Sequence, residues 1–264
     1  MLCHTIDDID FYQFEILQKH HAIVHAVTSR CGNAKNAFFS MRSQPNLEIA
    51  IQNRTKICEI LGISAQYLAL PSQVHGNGIE QVIQKSIQKG KFANHRFEEV
   101  DGLVTNLIQV PLMAQSADCP LIGIYDPVQN AIGIAHAGWR GTVSEMAICL
   151  VKKMQDCFQS NTFDLKAVLS PAIGPCCYVV GEEVIEKAKD KPWAEKCFLQ
   201  KQNSCFFDLW TANEQQLVLA GILPENIESA HICTKCNHER FFSYRVEQKG
   251  VGHFALILCI KEKV

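Results

Sequence analysis

The sequence predicts an α+β domain. Helical and strand-like apolar patterns both recur along the chain, and they mix without the strict alternation of a doubly wound sheet. No repeat or low-complexity linker divides the 264 residues, so one continuous domain is expected. A composition of 47% hydrophobic and 20% charged residues, with 15 Gly and 9 Pro, suits a buried core and excludes collagen-like and disordered classes.

The first helix is predicted over 48–61, where Ile49, Ala50, Ile57, Ile60 and Leu61 lie near helical spacing, Asn53 interrupts the stripe and Gly62 stops it. Strands are predicted at 67–70, 100–107 and 110–115. Two more, 121–125 and 131–135, flank the turn-rich stretch 126–130. Val143, Met146, Ala147, Leu150, Val151 and Met154 form an apolar stripe that predicts a helix over 142–158. Thr142 or Ser144 would cap it, with Glu145 placed as in a capping box. A strand at 165–169 leads into a loop, 170–181, and a short helix, 182–189. Segments 197–200 and 205–209 read as a hairpin, and 209–220 as a helix closed by Gly221 and Pro224. Strands are predicted at 227–232 and 253–260.

The charge balance is nearly neutral, 25 Lys and Arg against 27 Asp and Glu. Such a chain has no electrostatic footprint for nucleic acid or an anionic membrane, and neither partner is expected. The long uncharged stretch 60–79 is broken by Pro71, His75, Asn77 and three glycines, so it is not read as a membrane span. The N-terminal segment is acidic and lacks a clean apolar run, so no secretory signal is expected. Thirteen cysteines then read as free thiols in a reducing cytoplasm, most of them small core hydrophobes.

Chemistry concentrates in SADCPLIGIYDPVQNAIGIAHAGWRGT, residues 116–142. With 126–130 as a hairpin tip, Tyr125 faces Ala131, and Cys119 and His136 fall within one residue of register at the open end. Opposed Cβ atoms lie about 4.5–5.5 Å apart, so a Cys–His pair is expected; a chance pairing in a cysteine-rich chain fits the same spacing. Asp118 adjoins the cysteine. Gly138 and Gly141 bracket Trp139 and Arg140 before a helix start, where free N–H groups and a guanidinium suit a phosphate or carboxylate. A packed Trp139 beside a solvated Arg140 fits equally. The loop LPSQVHGNG carries His75. Two histidines and one thiolate are a three-ligand set of the kind zinc uses in catalytic sites, although the spacing of 75, 119 and 136 matches no local zinc pattern.

A second metal motif, Cys233-Thr-Lys-Cys236 with His238 nearby, lacks another CxxC to complete four ligands. Cys176 and Cys177 are adjacent and not expected to face one ion easily, so a second zinc site is not expected. Ten histidines include no HxH pair, and a four-copper oxidase is not expected.

The segments SQVHG, ADCP and HAGWRGT, with GPCCY and FFSYR downstream, resemble the YfiH-like family, also labelled laccase-domain, multicopper polyphenol oxidase or peptidoglycan editing factor proteins. TSRCG at 28–32, the Asn53-Arg54 pair and, loosely, GVGHFALIL extend the resemblance over nearly the whole chain. It implies one α+β domain over 1–264, with layered mixed β-sheets flanked by helices. It implies zinc held by His75, Cys119 and His136, with copper able to occupy the same site. It further implies phosphorolysis of adenosine, inosine, guanosine and methylthioadenosine, and deamination of adenosine through zinc-activated water. On this reading His75, Cys119, His136 and Asp118 are catalytic, Asp118 as a proton shuttle. Arg140, Arg245 and Arg54 contact phosphate or ribose. The partners are purine nucleosides and phosphate, and the chain is a monomer or weak homodimer in the cytoplasm. Val179 and His253 depart from the Glu and Arg common in the family, and the family pattern has a cysteine only at 233, so the resemblance makes Cys236 and His238 incidental. The alternative is a metal-free cysteine hydrolase acting on a peptidoglycan precursor, with Cys119 as nucleophile and His136 as base. A non-enzymatic metal-binding protein is the third reading.

Overall fold

The computed structural model describes residues 1–7, 9–30, 47–87 and 95–262. The central hairpin pairs Leu121–Asp126 with Ala131–His136, both strands fully buried. Alternation along them splits the side chains between two faces. Leu121, Tyr125, Ile132 and Ile134 pack into one core, and Ile122, Ile124, Ala131 and Ala135 into another.

This hairpin lies in a six-stranded sheet ordered Ile227–Ser229, Lys166–Leu169, Leu121–Asp126, Ala131–His136, Gly102–Thr105, Ile79–Gln81. Its first face meets a seven-stranded sheet ordered Leu2–Ile6, Ile9–Gln13, Ile23–Thr28, Phe254–Ile260, Leu112–Ser116, Ala69–Pro71, His95–Phe97. The approach is close: a Cβ at Gly123 would lie 2.9 Å from Val168 and 3.2 Å from both Leu256 and Leu258. The second face is covered by the helix Met146–Phe158 through Ala147, Leu150 and Met154. The outer face of the larger sheet is covered by the helix Leu47–Ile60 through Ile57 and Cys58. The result is a single α+β domain of two mixed sheets flanked by helices, as expected, with parallel and antiparallel pairs in each sheet. A small third sheet, Val179–Val180, Ser204–Phe207 and Phe198–Lys201, contains the predicted 197–209 hairpin. Among the described residues no helix is long and apolar enough to cross a membrane. The described cysteines are free thiols.

Several expectations need correction. The predicted helix 142–158 is two helices, Trp139–Val143 and Met146–Phe158, separated by Glu145 in the left-handed region at φ 61°. No capping box forms. Thr142 is buried, its hydroxyl donates to the Ala137 carbonyl, and Gln216 donates to its carbonyl oxygen. The hairpin register is shifted by one residue, pairing Ala131 with Asp126 and His136 with Leu121. The cause is Asp126, whose Oδ1 accepts the N–H groups of Val128 and Gln129 and shortens the turn. Leu2–Ile6, Ile9–Gln13 and Ile23–Thr28 are strands that apolar patterning does not announce.

Ile23–Thr28 carries His25 into the interior at 1% exposure, where Nε2 accepts the Phe14 N–H at 2.8 Å. Burial pushes its pKa from 6.5 down to about 4, so the folded protein holds the ring neutral. An unfolded chain takes up the proton first. The stabilisation is therefore complete above about pH 6.5 and is lost as pH falls towards 4, by about 3 kcal/mol in full. Urea midpoints at pH 7 and pH 4.5 should fall further for the native chain than for His25→Gln. An equal fall in both would remove His25 as an acid-sensitive element.

Candidate functional site

The corrected register assembles the site. The ladder continues past the strands through Ala137 N–H to Pro120 O at 2.9 Å, which sets Gly138 opposite Cys119. A Cβ at Gly138 would lie 2.8 Å from Cys119 Sγ and 3.4 Å from His75 Cδ2. The glycine leaves the thiol its space. His136 ends its strand beside the cysteine, and loop 72–78 delivers His75. One ligand atom from each of His75, Cys119 and His136 lies within 4.8 Å of the others. The two imidazole rings meet edge to face, centroids 4.9 Å apart.

Asp101, which the sequence reading missed, orders this cluster. It is fully buried. Its carboxylate accepts the N–H groups of Val74, His75 and Gly76 at 2.8–3.0 Å, and the Nδ1–H of His136 at 3.0 Å. Its carbonyl accepts the His136 N–H. Nδ1 of His136 thus carries a proton, and Nε2 is left for the Cys119 side. His75 is held in the left-handed region at φ 65°, a conformation unfavourable for this residue, within the loop that Asp101 ties down.

The charges are mutually adjusted. Burial alone would raise the Cys119 pKa, but His136 and His75 outweigh it and bring the thiol down to about 7. Burial would keep His136 neutral, but Cys119 and Asp101 outweigh it and raise the ring to about 9. Burial would raise Asp101, yet His136 and the N–H groups of Gly76 and His75 hold it below the usual carboxylate range. Two imidazoles and a thiol, one imidazole braced by a buried carboxylate, are a donor set that fits zinc. They also suit copper.

The cluster opens into a cleft of about 860 Å³, also lined by Arg54, Arg96, Asp118, Tyr178 and Arg245. Arg54 is buried on the Leu47–Ile60 helix, and burial followed by Arg96 lowers its pKa to about 10, so it stays cationic at neutral pH. Arg245 places its guanidinium over the Tyr178 ring at 5.1 Å. Asp118 is buried with both carboxylate oxygens engaged, one by Thr234 Oγ1 at 2.6 Å and one by the Arg245 N–H at 2.7 Å. Arg140 is exposed and stacked on Trp139 at 4.3 Å, outside the cleft lining, on a helix of five residues. The structure therefore brings Arg54 and Arg245 to the cleft lining, while Arg140 is exposed beside it, its charge still felt by the lining residue Tyr178. His253 lines the cleft, and the Val179 carbonyl accepts from Arg245. Arg96 is a cleft cation that no sequence motif marks.

Residues 24–261 match the family model described as multi-copper polyphenol oxidoreductase laccase. Purine nucleoside phosphorylase YlmD of Bacillus subtilis is 29% identical over 215 residues, 80% of this chain and 77% of that protein. Human purine nucleoside phosphorylase LACC1 is 28% identical over 251 residues, 90% of this chain and 56% of that protein. Adenosine deaminase RL5, from an unknown prokaryotic organism, is 32% identical over 193 residues, 70% of this chain and 72% of that protein. The crystal structure of Bacillus licheniformis hypothetical protein YfiH superposes with a TM-score of 0.88 at 29% identity, covering 97% of both chains. YlmD from Geobacillus stearothermophilus gives 0.88 at 25% identity over 98% of both. Motifs, layered sheets and these likenesses agree: the chain belongs to the YfiH-like, laccase-domain family of purine nucleoside phosphorylase relatives.

Proposed function

We propose that the protein is a zinc-dependent purine nucleoside enzyme, catalysing phosphorolysis of purine nucleosides and deamination of adenosine in the cytoplasm. The observation that carries this reading is the convergence of His75, Cys119 and His136 on the wall of a cleft that guanidinium groups also line. The relatives named as purine nucleoside phosphorylases and as an adenosine deaminase support the substrate class.

His75, Cys119 and His136 would hold the metal. Bound there, zinc supplies a Lewis acid next to the substrate. Asp101 keeps the proton on His136 Nδ1 and so presents Nε2 to the metal side. Arg54, Arg96 and Arg245 provide the cationic wall that a phosphate requires. In phosphorolysis a phosphate oxygen forms a bond to C1′ while the glycosidic bond breaks and the purine leaves with its electron pair. Tyr178 and Trp139 line the cleft and offer apolar ring surface to a purine. Asp118, with both oxygens engaged, acts by holding Arg245 in place rather than as a shuttle open to substrate.

One observation favours a second reading. Cys119, His136 and Asp101 also form a nucleophile–base–carboxylate array with a thiol near pKa 7, which is what a metal-free cysteine hydrolase requires.

His75→Ala decides between them. His75 is an exposed loop residue. Its removal should leave the fold intact while zinc at this centre and nucleoside turnover are both lost, monitored by elemental analysis and by product mass with and without phosphate. A fully active, zinc-replete variant would move the assignment to the hydrolase. Asp101→Asn should lower turnover about 10–100-fold, the usual effect of removing a carboxylate that braces a ligating histidine. Gly138→Ala should weaken zinc binding, because its Cβ would stand 2.8 Å from Cys119 Sγ. Unchanged zinc affinity would show that the thiol has room to move.

A further inference from the structure

Four cysteines outside the cleft lining come together from two segments. The Sγ atoms of Cys176, Cys177, Cys233 and Cys236 all lie within 4.8 Å of one another. Cys236 Sγ is 3.6 Å from Cys176 Sγ and 3.5 Å from Cys177 Sγ. Four sulfurs held about 2.3 Å from one zinc ion stand about 3.8 Å apart. The spacing is that of a tetrathiolate centre, and the thiols are free rather than paired as disulfides.

The expectation that adjacent cysteines cannot face one ion, and that Cys236 is incidental, is overturned by the backbone. The N–H groups of Cys177 and Tyr178 both donate to the Gly174 carbonyl, and this tight turn brings both vicinal side chains to Cys236. The second segment is docked by a parallel bridge between Ala172 and Cys233, with Thr234 N–H donating to Ala172 O. Gly174 N–H donates to Cys233 Sγ at 3.3 Å, the kind of amide contact that favours thiolate. Cys233 is buried, while Cys176 and Cys236 are exposed, so the cluster is reachable from solvent.

We propose that Cys176, Cys177, Cys233 and Cys236 form a second, structural metal site, a four-thiolate zinc centre that clips loop 170–181 to segment 231–245. Zinc binding releases the thiol protons to solvent and leaves no open position, so the centre is not catalytic. Its effect is on the cleft wall. Tyr178 follows Cys177, Thr234 follows Cys233, and Thr234 and Arg245 both hold Asp118. This site stands independently of the proposed activity at His75.

Elemental analysis of protein purified under reducing conditions without chelator should find about two zinc ions per chain. His75→Ala and Cys236→Ser should each retain about one, and the double variant none. Cobalt titration of metal-stripped His75→Ala should give the intense sulfur-to-cobalt absorption of four thiolates, and Cys236→Ser should lose most of it. Should Cys236→Ser fail to fold, peptide mapping after iodoacetamide treatment of the unaltered protein supplies the answer. Zinc should protect Cys176, Cys177 and Cys236 while exposed Cys3 reacts. Equal zinc content in Cys236→Ser and the native chain, alkylation of the three thiols as fast as Cys3 in zinc-loaded protein, or a disulfide among them under reducing conditions would each overturn the proposal.

Discussion

The buried carboxylate of Asp101 is the constraint on which the site depends. A carboxylate without solvent is strongly unfavourable unless its oxygens are satisfied. Three consecutive backbone N–H groups and one imidazole satisfy it here. The requirement works in both directions. The carboxylate ties loop 74–76, including the left-handed His75, to a strand end, and it sets the ring of His136. Asp101 itself is placed by the sheet, because the strand it precedes pairs Gly102 with Ala135. Sheet register thus becomes the spacing of two histidines and a thiol.

That dependence explains which parts of the fold were legible. Long apolar stripes and alternating strands around a clear turn read correctly, as the buried faces of 121–136 and of Met146–Phe158 illustrate. The failures lie where a single polar side chain decides the backbone. Asp126 shortens the hairpin turn, and Thr142 spends its hydroxyl on Ala137 instead of a cap. Ile23–Thr28 is an apolar run interrupted by His25, whose burial only the assembled core provides.

The site was legible in a different way. His75, Cys119 and His136 were recognisable through their motifs, and the hairpin independently made Cys119 and His136 neighbours. The observed register sets the two positions two residues apart rather than one, and their side chains still meet because Gly138, which faces the thiol, leaves the space between them. Asp101 left no trace: an aspartate between Val100 and Gly102 looks like any strand entry. Arg140 lies at the edge of what the motif suggests, exposed yet near cleft-lining Tyr178. Its glycine-flanked motif suggests an anion loop, but those glycines serve close packing, and the guanidinium rests on Trp139 at the surface. The cysteine cluster was hidden by topology, since its two halves meet only through the Ala172–Cys233 bridge.

Asp118 extends the logic of Asp101 to the opposite wall. Both are buried carboxylates with every oxygen engaged, yet they bind different partners. Asp101 holds ligand-bearing elements and leaves its proton partner, His136, at the cluster. Asp118 holds Thr234 and the backbone of Arg245, neither of which belongs to the His–Cys cluster. A group committed in this way is fixed between two segments rather than free to swing. Beside Cys119, it ties segment 231–245 to the hairpin end. The cysteines lie on that segment and on the loop that Ile173 anchors to the Asp118 carbonyl at 2.7 Å. The His–Cys cluster, the carboxylate staple and the thiol cluster behind the cleft lining are thus consecutive links of one structure, and the geometry of each is inherited from its neighbour.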